Sequence, residues 1–199
     1  MMHHIHYLDK SAVQVLADAL NRHFDQHRSC AEIVVICVGT SRWNGDTLGP
    51  AVGSLLAGSF RRDDRVRIFG TRERPVHALN LKKTLIYISK KHPDAYIVAV
   101  DACLGVYYKI GTIQLVEEPL SPGISLGKQL PPVGHVHLKG IVNNHGPLNH
   151  KVLEHTSLTF VHEMAAVISR ILIRSLTACL PALELAEPRP HKSDRTSGA

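Results

Sequence analysis

Two aspartates stand where the chain's apolar runs give way to turns. Asp46 lies in "GTSRWNGDTLGP" (residues 39–50), directly after the apolar run 33–38, and Asp101 follows the apolar run 96–100. Two facing carboxyls can share one proton, so that one acts as a base on water while the other serves as an acid. Structural roles compete for the same residues. Asp46 can accept hydrogen bonds from the free amides of a helix starting near Pro50, and Asp101 can shape a turn. Spacing alone leaves both readings open.

The elements that must position these acids are legible as alternating patterns. Residues 11–27 carry Val13, Leu16, Ala17, Leu20 and Phe24 at helical spacing, with Ser11 as a cap. The short continuous run 33–38, bounded by Gly39, predicts a strand buried on both faces. A helix over about 50–60, a strand over 65–69 and a helix over about 77–90 follow, and 96–100 repeats the buried-strand pattern, ending on Asp101. Further strands are expected at 112–117 and 133–142, with a long Pro/Gly loop between them, and an amphipathic helix at about 158–180.

This pattern predicts an α/β fold: a three-layer α/β/α sandwich with a mostly parallel central sheet. Residues 1–186 are expected to form a single domain and 187–199 a flexible tail, since "EPRPHKSDRTSGA" is too polar to pack. In such sheets ligands gather beyond the carboxyl ends of the strands, near the switch in strand order. Asp46 and Asp101 should therefore meet at one edge.

Composition narrows the function classes. With 44% apolar residues, 199 residues suffice for one filled core. The net charge of +6 is spread over pairs such as Arg61-Arg62, Lys82-Lys83 and Lys90-Lys91 without interleaved aromatics, which argues for solvated faces rather than a nucleic-acid surface. Cys30, Cys37, Cys103 and Cys179 form no CxxC pair, and neither a signal peptide nor a membrane-length apolar run stands out. A reduced, cytoplasmic setting without a membrane partner is expected. Cys103 has no accompanying Cys-His motif and reads, like Cys37, as a small core residue. The His3, His4 and His6 cluster receives no function.

Four segments carry a resemblance: "GTSRWNGDTLGPAVG", "GTRERPVHALNL", "IVAVDACLG" and "SPGISLGKQLPPVG". Together they span residues from about 35 to 145 and resemble the YyaC-type sporulation protein family. More distantly they are similar to the germination protease of endospore formers, whose two essential aspartates, in a D-x-L-G-P motif and at the end of a V-D-A strand, fall at Asp46 and Asp101. A third similarity is to the hydrogenase maturation endopeptidases, which share the α/β/α fold and set an acid seven residues after a Gly, as Asp46 stands after Gly39. Those enzymes sense nickel through two acids and a His, and the His residues in that part of this chain are His135 and His137.

The resemblance implies an aspartate-dependent endopeptidase acting on a protein or peptide, such as a spore protein, in the mother cell, forespore or spore core. Asp46 and Asp101 would activate the water. The expected site is metal-free; the alternative is nickel or zinc on Asp46, Asp101, His135 and His137, although alternate His on a strand also serve local hydrogen bonds. Two further readings stay open, a non-catalytic binding or assembly protein on the protease-like fold and a metal-sensing maturation protease. For substrate contacts, the loop after Thr71 offers His77 and Asn80, with helix capping as the equal alternative. The loop "SPGISLGKQLPP" offers Ser121 and backbone amides at Gly123 and Gly127, with Lys128 to neutralise an oxyanion.

Overall fold

Apolar side chains on both sides of the central strands set the layers. The structure, a computed structural model, describes residues 2–27, 30, 32–61, 63, 65–123, 127 and 129–184. Its strands are β1 (Met2–His6), β2 (Ile33–Cys37), β3 (Val66–Phe69), β4 (Tyr96–Gly105), β5 (Thr112–Val116) and β6 (Val136–Asn144). Its helices are α1 (Ala12–Gln26), α2 (Leu48–Ser59), α3 (Leu81–Lys91), α4 (Asn149–Glu154) and α5 (Leu158–Glu184). Every residue of β2 is buried. Ile33, Val35 and Cys37 enter the apolar cluster shared with α1, α2 and α5, while Val34 and Ile36 enter a second cluster with Leu81 and Ile88 of α3.

The six strands form one sheet in the order β1-β5-β6-β4-β2-β3. The four from β6 to β3 run parallel, β5 adds to β6 antiparallel, and β1 adds to β5 antiparallel. This is an α/β fold with a mixed, mostly parallel sheet and helices packed on both faces. From β2 the chain passes to β3 on one side and then crosses to β4 on the other, so the strand order switches between β2 and β4. That crevice is where a doubly wound sheet presents ligands.

Several local expectations shift. The His3, His4 and His6 segment is an edge strand, β1, paired with β5 from Met2 opposite Val116 to His6 opposite Thr112. Its alternation of exposed and half-buried residues is too short to separate from a polar terminus by sequence. Asp101 lies inside β4 and does not end it, because β6 continues alongside to Asn144 and supplies hydrogen-bonding partners that no local signal announces. The third helix begins at Leu81, after a turn containing His77 and Asn80.

Helix α5 also corrects the expectation that no apolar run reaches membrane length. Residues Leu158–Pro181 are long and apolar enough, with a mean hydropathy of 1.4, to cross a membrane by length and composition, and half of that window is buried inside the protein. Charges at Glu163, Arg170 and Arg174 give the run the look of an ordinary amphipathic helix. Its inner side, including Met164, Ile168, Ile171 and Leu172, fills the core against α1 and α2.

Helix α2 sits on bare backbone. A Cβ at Gly49 would overlap the Val38 carbonyl, and one at Gly53 would overlap the carbonyl of Gly70. Two glycines one turn apart therefore let the helix lie directly on the strand ends and set the height of the turn that carries Asp46.

Candidate functional site

The site exists because β2 stops before β4 does. The two strands pair from Ile33 opposite Tyr96 to Cys37 opposite Val100, and the Val38 N–H makes a last bond to the Val100 carbonyl at 2.7 Å. The chain then turns toward the segment that follows β3, where the Gly39 N–H donates to the Val76 carbonyl at 2.9 Å. Gly39 holds φ +150°, and a Cβ there would strike the Asp46 carbonyl and the Pro50 ring. Asp101 is the first residue of β4 beyond this departure.

Asp46 occupies a 3-10 turn, Asn44–Thr47, and the position capping α2 falls on Thr47. Its backbone is fixed at both ends: its N–H donates to Trp43 at 3.0 Å and its carbonyl accepts from the Thr40 N–H at 3.1 Å. Asp46 is half-buried and Asp101 is 8% exposed. Both line a cleft of about 640 Å³, with Trp43, Leu79, Leu120 and Leu130 among its apolar walls.

The electrostatics separate the two acids. Burial pushes the Asp101 carboxyl well above the ordinary aspartate range, and the nearby Asp46 charge pushes in the same direction. The Ala102 N–H, donating to Asp101 Oδ1 at 2.8 Å, and the Lys139 charge oppose this without cancelling it. The pair therefore favours holding one proton on Asp101, as coupled carboxyls do. Lys139 lies opposite Asp101 in the β4–β6 register and lines the same cleft.

Because Asp101 titrates higher in the folded chain than in the unfolded one, the native state binds more protons between those two values, and stability falls as pH rises through that window. Asp101→Asn removes this loss and can keep the Ala102 bond. The variant should melt above the parent at pH 8, with the gap closing on acidification toward pH 4, each kcal/mol recovered being worth roughly 2–4 °C. A parent that melts higher at pH 8 would mean that Asp101 is held ionised.

His137 is 5% exposed and lines the cleft. Its Nδ1 lies 2.7 Å from the Glu118 carbonyl, so Nδ1 carries the proton and Nε2 is the basic nitrogen. Burial first, and the Lys139 charge as well, hold this ring below the usual imidazole range. His135 is placed differently. It lies at the start of β6, away from the acids, where its Nδ1 accepts from the Ile97 N–H at 2.9 Å and its ring stacks on Tyr96 at 4.9 Å.

The nickel or zinc alternative does not fit these donors. Asp46, Asp101 and His137 line the cleft but His135 does not, so the four expected ligands do not converge. Among the described residues no group of three or more His, Cys, Asp or Glu is disposed to hold a metal.

The remaining expected contacts divide. His77 and Ser121 line the cleft, with Gly123 beside Ser121. Asn80 does not line it: its Nδ2 donates to the Pro75 carbonyl at 2.9 Å and its Oδ1 accepts from the His77 N–H at 2.8 Å, which braces the turn. Lys128 lies outside the described residues, as do 185–199. Cys37 is fully buried, as expected, whereas Cys103 is half-buried on the cleft wall because it shares a strand face with Asp101. Lys139 was missed: the strand alternation in "GHVHLKG" was visible, but its partner on β4 was not.

Residues 4–171 match the family described as "Protein of unknown function (DUF1256)". A relative in Bacillus subtilis (strain 168), "Uncharacterized protein YyaC", is 43% identical over 137 residues, which is 69% of this chain. The match spans 66% of that relative, just under two thirds of its length.

Proposed function

Since this chain belongs to the DUF1256 family, its chemistry has to be read from its own cleft, and we propose that it is an endopeptidase in which Asp46 and Asp101 activate water against a peptide bond. Asp46, the more accessible acid, takes a proton from water. The hydroxide adds to the carbonyl carbon, Lys139 neutralises the oxyanion, and Asp101, protonated at the start, gives its proton to the amide nitrogen as the C–N bond breaks. Every proton removed at Asp46 is matched by one supplied at Asp101, so the pair is ready for a second turnover after exchange with solvent. The observation that carries this reading is the buried Asp101, raised by both burial and the Asp46 charge, lining the same peptide-sized cleft as Asp46.

The resemblance to sporulation proteins supports spore proteins as substrates and the mother cell, forespore or spore core as the compartment. The test is to incubate purified protein with random decapeptides and unfolded proteins in the presence of EDTA and to detect new amino termini by mass spectrometry. Cleavage that persists in EDTA is expected. Cleavage that requires one added metal would favour the maturation-protease reading, and capture of peptide without cleavage would favour the binding protein.

Lys139 supplies a second check through pH. Its charge lowers the Asp101 pKa, so Lys139→Met should move the alkaline limb of kcat/KM to higher pH while the maximum falls about 10²-fold through loss of oxyanion stabilisation. An unmoved limb would show that Asp101 is not the acid.

A further inference from the structure

Beyond Val100 the β4 strand keeps β6 on one side and, among the described residues, has no strand on the other. In a parallel ladder, alternate residues turn both backbone groups toward the same neighbour. The Val100 carbonyl faces β2, where it accepts from Val38, and the Gly105 carbonyl faces β6, where it accepts from His145. Ala102 and Leu104 therefore face the flank that β2 has left. Among the described residues no backbone–backbone bond joins them to another segment there.

Two of their four backbone groups have local partners. The Ala102 N–H is held by Asp101 Oδ1, and the Leu104 carbonyl accepts the Cys103 thiol at 3.2 Å. The groups left facing the flank are the Ala102 carbonyl and the Leu104 N–H. An acceptor and a donor two residues apart are what one residue of a parallel strand bonds, through its own N–H and carbonyl, when it lies opposite Cys103. The cleft follows the same flank, since four consecutive β4 residues, Asp101 to Leu104, line it from both strand faces.

We propose that the substrate is an extended peptide that adds to the sheet as a short strand parallel to β4, in the place β2 vacates, with one residue bonded to the Ala102 carbonyl and the Leu104 N–H. Val38 holds the place opposite Asp101, so the strand pairing starts beyond the two acids, and the substrate residues before it leave the strand line in front of them. Selection falls on a flexible terminus or loop able to become a strand, because a helix or a folded surface cannot offer both backbone groups at that spacing. The apolar walls at Leu79 and Leu120 accept side chains without demanding one sequence. The substrate class rests on the endopeptidase reading; the docking geometry does not.

The test uses the Asp46→Asn protein and fluorescein-labelled decapeptides, read by fluorescence anisotropy. The tightest binder is then N-methylated at one amide at a time. One amide should be sensitive, with Kd rising about tenfold, while its two neighbours, which point away from β4, tolerate the methyl group. Amide hydrogen exchange at Leu104 should slow at least about tenfold in the complex. Uniform or absent sensitivity, an unprotected Leu104 amide, or no binding decapeptide at all would overturn the proposal. So would a dimer that forms as protein concentration rises and excludes peptide, which would give the flank to a second copy. Alternating sensitivity in a protein whose parent form never cleaves would uphold the docking mode and reject the endopeptidase. Cleavage without alternation would do the reverse.

Discussion

Asp46→Asn and Asp101→Asn should each lower peptide cleavage about 10²–10⁴-fold while leaving the folded protein intact. Asparagine matches aspartate in shape but neither takes a proton from water nor gives one up. At position 46 the backbone is held by Trp43 and Thr40, so the turn should survive the change. At position 101 the Oδ1 atom can still accept from Ala102. The two losses should not add, because an acid without its base, or a base without its acid, is already close to the rate of the double variant. Cleavage is measured under single-turnover conditions, with circular dichroism as the folding control. Full activity in both single variants would move the chemistry away from this cleft.

Gly49→Val should cost about 3 kcal/mol, the upper end of the overpacking range, and lower Tm by roughly 6–12 °C. The new Cβ would meet the carbonyl oxygen, carbonyl carbon and nitrogen of Val38, which are backbone atoms and cannot swing aside. Helix α2 would have to lift from the sheet, taking with it the 3-10 turn that carries Asp46. Activity should therefore fall together with stability. Gly58 is the internal contrast. It lies in the same helix with nothing within 4 Å of an added Cβ, so Gly58→Ala should stabilise the protein by about 0.4–1 kcal/mol. Thermal denaturation of the two variants separates steric seating from helix propensity. Equal and small effects would mean that α2 is free to shift.

The apolar runs at 33–38 and 96–100 announced buried strands, because a strand covered on both faces leaves no room for polar residues, and the helical spacings around them announced the covering layers. From the connection pattern alone, Asp46 and Asp101 were placed at one edge, and both line the cleft there. Which neighbours surround those acids was a matter of register and strand length, which depend on partners far along the chain. Lys139 became the cation beside Asp101 through the β4–β6 pairing, and β4 ran on past Asp101 because β6 does. His135 and His137, two residues apart in sequence, parted for the same reason: one stacks on Tyr96 near the start of the strands and the other lines the cleft. The edge strand β1 drew its backbone partners from β5 rather than from any local signal. Backbone hydrogen bonds carry no side-chain signature, so the open flank at Ala102 and Leu104 was decided by the tertiary structure alone.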